Sequence, residues 1–491
     1  MDRPVLTTLR SSAGATGGGE TVLRSLSLAA LGSLHRDVQR PTYDVAALRP
    51  GVVHLGVGSF HRAHQAVYFD RLAAQGVSLD WGVVGVGPRS ARLRADLTSQ
   101  DCLYTVLELG APDPRARVVG SLRDYLSAAE QPAAVAARLR SAQTRLVTVT
   151  ITAPSYDEGR ATRTFELLAR ALDERRRAAI APFTVLSCDN LPANGDALRR
   201  CVLAAASRRS PGLERWIQEH VAFPNSMADR ITPPSSEHDV RLLHRRFGIH
   251  DRVPVVTEPF SQWVVEDMFS AARPPLEEVG VQLVADVGPY VDMKMRMLNA
   301  AHVALGYLGA RTPHASTDSA MGDPALGATV ERLLAEEVEP VLEPAPGVDV
   351  RDYRASVLAR LRNPAIADPL CRLRRRGSVR VRNYVLPSLD RALDQGRPCS
   401  LLTAVVAAWV EDLARAAADI AAGTSTHAEV MARLEDPDAA ALLGPAATAT
   451  DDVRPLLAAA PGFERVRHDE AFVASLQAAL VMLERSGRAA S

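Results

Sequence analysis

The sequence predicts an α/β protein: a doubly wound parallel sheet in the first half of the chain, followed by a mainly α-helical second part. Two observations predict this. From about residue 50, short Val-rich runs alternate with helical stretches, the order expected of buried strands covered by helices on both faces. Past about residue 290 the runs give way to segments amphipathic at helical spacing, such as "DPALGATVERLLAEEVEPVL" and "LLTAVVAAWVEDLARAAADIAAG".

Taken in order, residues 1–39 read as an N-terminal extension, partly disordered, because "SSAGATGGG" (11–19) is Gly/Ser/Ala-rich. Residues 40–285 read as a Rossmann-type NAD(P)-binding domain. Its parallel strands are expected at "VVHLGVG" (52–58), "WGVVGVG" (81–87), "RLVTVTI" (145–151), "FTVLSCD" (183–189) and "HVAFPNS" (220–226). Helices are expected at "HQAVYFDRLAAQ" (64–75) and "ATRTFELLARALDERRRA" (161–178). Residues 286–491 read as a mainly helical substrate and catalytic domain, and a cleft between the two is where a small-molecule site is expected.

Composition narrows the function classes. The 57 basic and 57 acidic residues cancel, so no nucleic acid or other polyanion partner is implied. The five Cys (102, 188, 201, 371, 399) lack C-x-x-C or metal-ligand spacing, and the 12 His show no zinc pattern. Scattered thiols fit a reducing compartment, so a cytoplasmic protein is expected. "LSLAALGSL" (26–34) is too short for a membrane span and is followed by no small-residue cleavage site. No coiled-coil heptad decides the oligomeric state, and both a monomer and a weak homo-oligomer stay open.

"HLGVGSFHRAH" (54–64) places Gly56 and Gly58 after the first strand and before a helix. Absent side chains there allow a tight turn and close approach of a pyrophosphate. His61 stands where the fingerprint's third glycine is usual. The second strand is followed by Arg89, Arg92 and Arg94 and by no acid, which alone leans toward a 2′-phosphate and NADP.

Of 57 basic residues only one, Lys294, is a lysine. A guanidinium does not give up its proton, whereas a buried ammonium can, so this lysine points to proton chemistry. In "DMKMRMLNAAH" (292–302), helical spacing sets Lys294, Asn299 and His302 within an arc of about 140°. A desolvated lysine is a base for a hydroxyl proton, and an amide is a neutral donor to a developing oxyanion. An amphipathic helix with Lys294 as a salt-bridge partner has the same spacing.

The segment resembles the K-x(4)-N-x(2)-H signature of the long-chain polyol dehydrogenases, the family of mannitol 2-dehydrogenase, D-arabinitol dehydrogenase and fructuronate reductase. The likeness extends through "RPTYDVAALRPGVVHLGVGSFHRAHQAVYFD" (40–70), "SQDCLYTVLE" (99–108), "CDNLPANG" (188–195), "FPNSMADRITP" (223–233) and "EPFSQWVVEDMF" (258–269), in family order. It implies a metal-independent, NAD-dependent enzyme, with NADP left open, acting on a polyol or ketose. Lys294 is implied as general base, Asn190 and Asn299 as donors to the substrate oxygen, and His302 as a hydroxyl ligand. Asp229, Arg380 and Asn383 fall on substrate-binding positions, and Gly56, Gly58, Phe60 and Arg89 on the cofactor side.

The chain departs from the family at three places. Ala153 in "TITAPSY" and Val291 in "PYVDMK" replace glutamates, leaving Asp292 as the nearby acid. The pattern "DGS-x-R-x-P-K-F" becomes "RGSVRVRNY" (376–384), which keeps Ser378 and Arg380 but has Arg376 for Asp and Asn383 for Lys. Polyol–ketose interconversion of the mannitol–fructose kind is the leading expectation. Alternatives are a hexuronate reductase acting on fructuronate or tagaturonate, and an inactive nucleotide-binding regulatory protein.

Overall fold

The computed structural model describes residues 24–87, 91–110, 113–156 and 163–490. The glycine-rich stretch 11–19 and Arg89 lie outside them. The main sheet has five parallel strands: β1 (Val52–Leu55), β2 (Val83–Gly87), β3 (Leu122–Ser127), β4 (Leu146–Val149) and β5 (Thr184–Ser187), in the order β3-β2-β1-β4-β5. This is a Rossmann-type order, in which the chain leaves the middle of the sheet in both directions and opens a crevice at the carboxyl ends of β1 and β4. Every residue of β1, β2, β4 and β5 is buried, which is why these strands are mostly apolar and do not alternate strictly, with His54, Thr148, Thr184 and Ser187 as buried polar exceptions. In register, Val53 lies between Val84 and Val147, and Val147 pairs with Val185. Each such valine contributes about 1.5–3 kcal/mol when removed from water.

One expected strand is corrected. Residues 220–226 do not join this sheet: His220 ends a helix (Pro211–His220), and β5 is met by Ala222 O, accepting from Val185 N at 3.0 Å, and by the Ser226 hydroxyl, donating to Ser187 O. Pro224 has no N–H for a ladder, and the Asn225 side chain turns aside to accept from Gly195 N and Asp196 N. The strand begins at Ser226 and belongs to another sheet, where β6 (Ser226–Asp229) runs antiparallel to β7 (Gln262–Glu266), itself parallel to β8 (Gln282–Val284). The fifth strand of the main sheet is β3, "LRDYLS", at the edge. Four further strands, Val38–Gln39, Tyr104–Glu108, Arg115–Val119 and Val255–Thr257, form a separate sheet.

From Gly288 onward the described residues are helical or in loops. The helix Ser400–Ala421 packs along the C-terminal helix Glu470–Ala490, with Trp409 stacked on Phe463 at 5.8 Å. Glu337 accepts from Leu401 N and Leu402 N at the start of that long helix, a buried carboxylate at a positive helix end. Among the described residues no helix is long and apolar enough to cross a membrane.

Candidate active site

The dinucleotide crevice is built by backbone chemistry. Gly56 follows β1 with φ +99°, and a Cβ there would lie 2.0 Å from Thr150 O. No other residue fits that turn. Gly58 faces open space, its nearest neighbour for a Cβ being Gly56 O at 3.9 Å. His61, in place of a third glycine, solves the helix–strand packing differently: its ring stacks on His54 of β1 at 3.5 Å with 10° between planes. Phe60 is half-buried and stacks on His64 at 5.2 Å.

A cleft of about 840 Å³ lies at the carboxyl ends of the strands, lined by Gly56, Val57, Gly87, Thr150, Ile151 and Thr152 among others. Thr150 Oγ1 has no protein partner. A glycine turn, an apolar wall and an unpartnered hydroxyl fit a dinucleotide. Arg92 is exposed beside Asp96, and Arg94 is bonded to Glu130 at 2.6 Å. Arg94 is thus engaged by a carboxylate, whereas Arg92 is held by only a loose surface ion pair.

The second half of the site hangs on β5 and β6. Asp189, after β5, accepts from Ile151 N, Thr152 N and Tyr156 Oη, and so pins the loop after β4, where Thr152 takes φ +72°. Asn194 ties this corner to β6, donating to Asp189 O and Ser226 O and accepting from Ser226 N. Asn190 and Ala228 are thereby fixed relative to each other. Between them comes Lys294: its Nζ donates to Asn190 Oδ1 at 2.9 Å and to Ala228 O at 2.7 Å. Both partners are neutral. Burial pushes the amine below its ordinary value; the Asp229 charge opposes this and the Arg360 charge adds to it.

Lys294 ends the α-helix Gly288–Lys294, and the next turn, Met295–Asn299, is π-helical before α geometry resumes at Ala300. The uniform helix expected over 290–302 is thus interrupted. Bonding from i to i+5 narrows the angular offset between Lys294 and Asn299, and such turns recur at functional sites. Asn299 Nδ2 lies 3.1 Å from Met295 Sδ. His302 is buried with Nε2 unpartnered, and desolvation lowers it to about 3, so the ring is neutral.

Asp229 is placed differently from a free polyol ligand. Its oxygens accept from Arg360 at 2.8 and 3.0 Å, and Arg360 also donates to Glu258 at 2.9 and 2.7 Å while lying over the Phe260 ring at 4.0 Å. Burial would raise Asp229, but the charges of Arg360 and Lys294 outweigh it and hold the carboxylate low. Arg380 donates through Nε to Arg375 O, and its charge reaches both His302 and Tyr384. Asn383 lines a separate cleft of about 670 Å³ with Arg200, Arg376 and Asp438. Asp292 bonds Arg296 at 3.0 Å and lies 3.7 Å from Arg391, so it does not stand in for a carboxylate at Val291. Val291 instead lines a cavity of about 10 Å³ beside Lys294. Among the described residues no cluster of metal-ligating side chains occurs.

Arg360, Glu258 and Tyr384 complete the site without having been singled out by the sequence. Arg360 is one of 56 arginines and carries no local mark. Tyr384 ends "RGSVRVRNY" where the family pattern has Phe, and that mismatch is the signal that points to it.

The chain is similar over most of its length to known proteins. Residues 50–278 match the family model of the mannitol dehydrogenase Rossmann domain, and residues 286–484 that of the mannitol dehydrogenase C-terminal domain. A mannitol 2-dehydrogenase of Phaeosphaeria nodorum is 38% identical over 483 residues, 93% of this chain and 83% of that protein. Among solved structures, Pseudomonas fluorescens mannitol 2-dehydrogenase in ternary complex with NAD and D-mannitol superposes with a TM-score of 0.84 at 37% identity, covering 94% of this chain and 98% of that one. A substrate-free D-sorbitol dehydrogenase gives a TM-score of 0.80 at 32% identity, covering 94% and 99%.

Proposed function

This chain belongs to the mannitol dehydrogenase family, and from that premise we propose that it interconverts a polyol and its 2-ketose, of the mannitol–fructose kind, with NAD and without a metal. The observation that supports the reading most is the bond from Lys294 Nζ to Asn190 Oδ1, which unites the chain's single amine with the end of a Rossmann strand. NAD, held by the Gly56–Gly58 turn and the wall of Gly87 and Thr150, supplies the acceptor for the hydrogen and electron pair lost from carbon.

The chain's own residues handle the proton and the oxygen. Lys294, whose burial shifts it toward the neutral amine, takes the hydroxyl proton during oxidation and returns it during reduction. Asn190 Oδ1 is occupied by the amine, which turns Nδ2 toward the site, and Nδ2 of Asn190 and Asn299 donate to the oxygen as charge develops. His302 Nε2, neutral and unpartnered, holds a substrate hydroxyl. Arg380 serves the far end of the polyol, and Asn383 its approach through the neighbouring cleft. Asp229 acts through Lys294, whose charged form it favours against the effect of burial, rather than by giving a free oxygen to substrate. All five cysteines are free, which supports work in the cytoplasm.

The test is a panel of polyols, ketoses and keto-uronates assayed with NADH and NADPH, or their oxidised forms. Turnover of a polyol–ketose pair with NAD is the expected result. Activity confined to keto-uronates would replace this reading with hexuronate reduction, and cofactor binding without turnover of any substrate would favour a regulatory protein.

A further inference from the structure

Tyr384 sits on a π-helical turn, Val381–Val385, and this turn packs against the π-helical turn Met295–Asn299 that follows Lys294. A third π-helical turn, Leu333–Val338, also touches Met295–Asn299, so contact between such turns is not peculiar to the site. What the turns carrying Tyr384 and Asn299 achieve is convergence. Asn190 Nδ2 donates to Tyr384 Oη at 3.4 Å, and the Asn299 amide hydrogen-bonds the same oxygen. The phenol is buried, in the C-terminal helical part of the chain, yet its oxygen reaches the amide that also holds Lys294.

We propose that the Tyr384 hydroxyl is a further catalytic residue, donating its proton to the oxygen on the reacting carbon as a third donor beside Asn190 and Asn299; this rests on the polyol-dehydrogenase reading. A phenol accepts on its lone pairs and donates one proton. Its lone pairs are met here by amide donors, so the proton is the part left to offer. Asn190 Nδ2 carries two hydrogens and can keep Tyr384 while serving a substrate oxygen, whereas the Asn299 amide, also bonded to Met295 Sδ, releases one partner to do so. Lys294 Nζ and Tyr384 Oη are bonded to the oxygen and the nitrogen of one side-chain amide, so a substrate oxygen seated between them is within reach of both. Burial raises the phenol above its ordinary value, Arg380, Arg376 and the two amides pull it back, and the group stays protonated near neutral pH.

The chemistry follows from the balance of donors. During oxidation the substrate oxygen loses its proton to Lys294 and passes through an alkoxide-like state on its way to a carbonyl. A donor aimed at that oxygen lowers the barrier in both directions. Asn190 and Asn299 do this with neutral amides; a phenol is a stronger donor than either. The pattern that this segment resembles ends in Phe, which lacks the hydroxyl that Tyr384 brings here.

Tyr384→Phe isolates the hydroxyl, because the ring and its packing stay. Its Tm and its NAD+ affinity, read by quenching of intrinsic fluorescence, are expected to equal those of the parent. Its kcat is expected to fall roughly 10- to 100-fold in both polyol oxidation and ketose reduction, somewhat less than loss of a principal oxyanion donor. The KM for polyol should change little. The isotope effect on kcat with polyol deuterated at the reacting carbon should rise, since C–H cleavage becomes more limiting. Parental kcat in the Phe variant would overturn the proposal, and so would a loss confined to the polyol KM, which would mark a contact to a non-reacting hydroxyl. A parent chain inactive on every polyol and ketose would overturn the functional reading itself, and is seen before any substitution is made.

Discussion

Replacing Lys294 tests the centre of the site. In Lys294→Ala the base is gone, which costs about 10²- to 10⁴-fold by itself. The amine also holds Asn190 Oδ1 at 2.9 Å, so its removal frees the Asn190 amide to rotate and weakens a donor worth about 10²-fold or more. The two effects act on one unit and do not multiply fully. A loss of about 10⁴-fold in kcat, or about 5.5 kcal/mol of barrier, is the expected total. Stability should move much less. Ala228 O and Asn190 Oδ1 lose a donor, at about 1–3 kcal/mol each, but a desolvated amine is removed at the same time. Steady-state formation of NADH from polyol measures kcat, fluorescence quenching measures NAD+ affinity, and added methylamine fills the vacated space. Activity restored in proportion to the free amine would identify proton transfer as the missing function. Lys294→Arg keeps the charge but not a transferable proton, and should be nearly as inactive. A Lys294→Ala enzyme within about tenfold of the parent kcat would refute the assignment, because no base of that weight can be missing.

Two more expectations follow from the buried charges. Arg360→Met should cost about 3–5 kcal/mol in urea unfolding, because it strands Asp229 and Glu258 as unpaired buried carboxylates; a cost below about 1 kcal/mol would show that the network contributes little. Acid should destabilise the fold well before the carboxylates titrate: desolvation holds His54, His64 and His302 at about 3, and His61 well below its ordinary value, against about 6.5 unfolded. Below about pH 6.5 the unfolded chain binds these protons and the folded chain does not, so stability is lost as pH falls from there toward about 3, with roughly one proton taken up per ring. A Tm that stays flat between pH 7 and pH 5 would refute it.

The parts of this molecule legible in the sequence are those where burial is uniform. β1, β2, β4 and β5 are Val-rich and wholly buried, and their runs announce them. β3 escapes because Arg123 and Asp124 interrupt it, as charges do on edge strands. The misplaced fifth strand has the opposite cause: "HVAFPNS" is apolar enough for a strand, but Pro224 denies it a ladder. At the site, Lys294, Asn299 and His302 are visible together because one helical segment carries all three. Arg360 and Tyr384 are not, since they meet Asp229 and Asn190 across 131 and 194 residues of chain, and no local pattern encodes such a contact. The π-helical turn is equally silent, because its residues are ordinary helix formers.

What separates Lys294 from three of the buried arginines is the nature of its partners; two others, Arg62 and Arg175, are bonded to backbone carbonyls. Arg360 is met by two carboxylates, Arg230 by Glu108 and by the carbonyls of Ala63 and Glu258, and Arg296 by Asp292, Ser388 and Val341 O. Those groups are held as permanent charges, and a guanidinium with five donors suits them. Lys294 has only an amide oxygen and a backbone carbonyl, while the nearest carboxylate, Asp229, has both oxygens bonded to Arg360. The arrangement therefore withholds from the amine the counter-charge that would fix its proton. Arg360 acts on the base twice, by occupying Asp229 and by adding a like charge, and both effects favour the neutral amine. An arginine at position 294 could not respond to that setting, whereas a lysine can. Retention of a single lysine in a chain that otherwise uses arginine is what such a site requires.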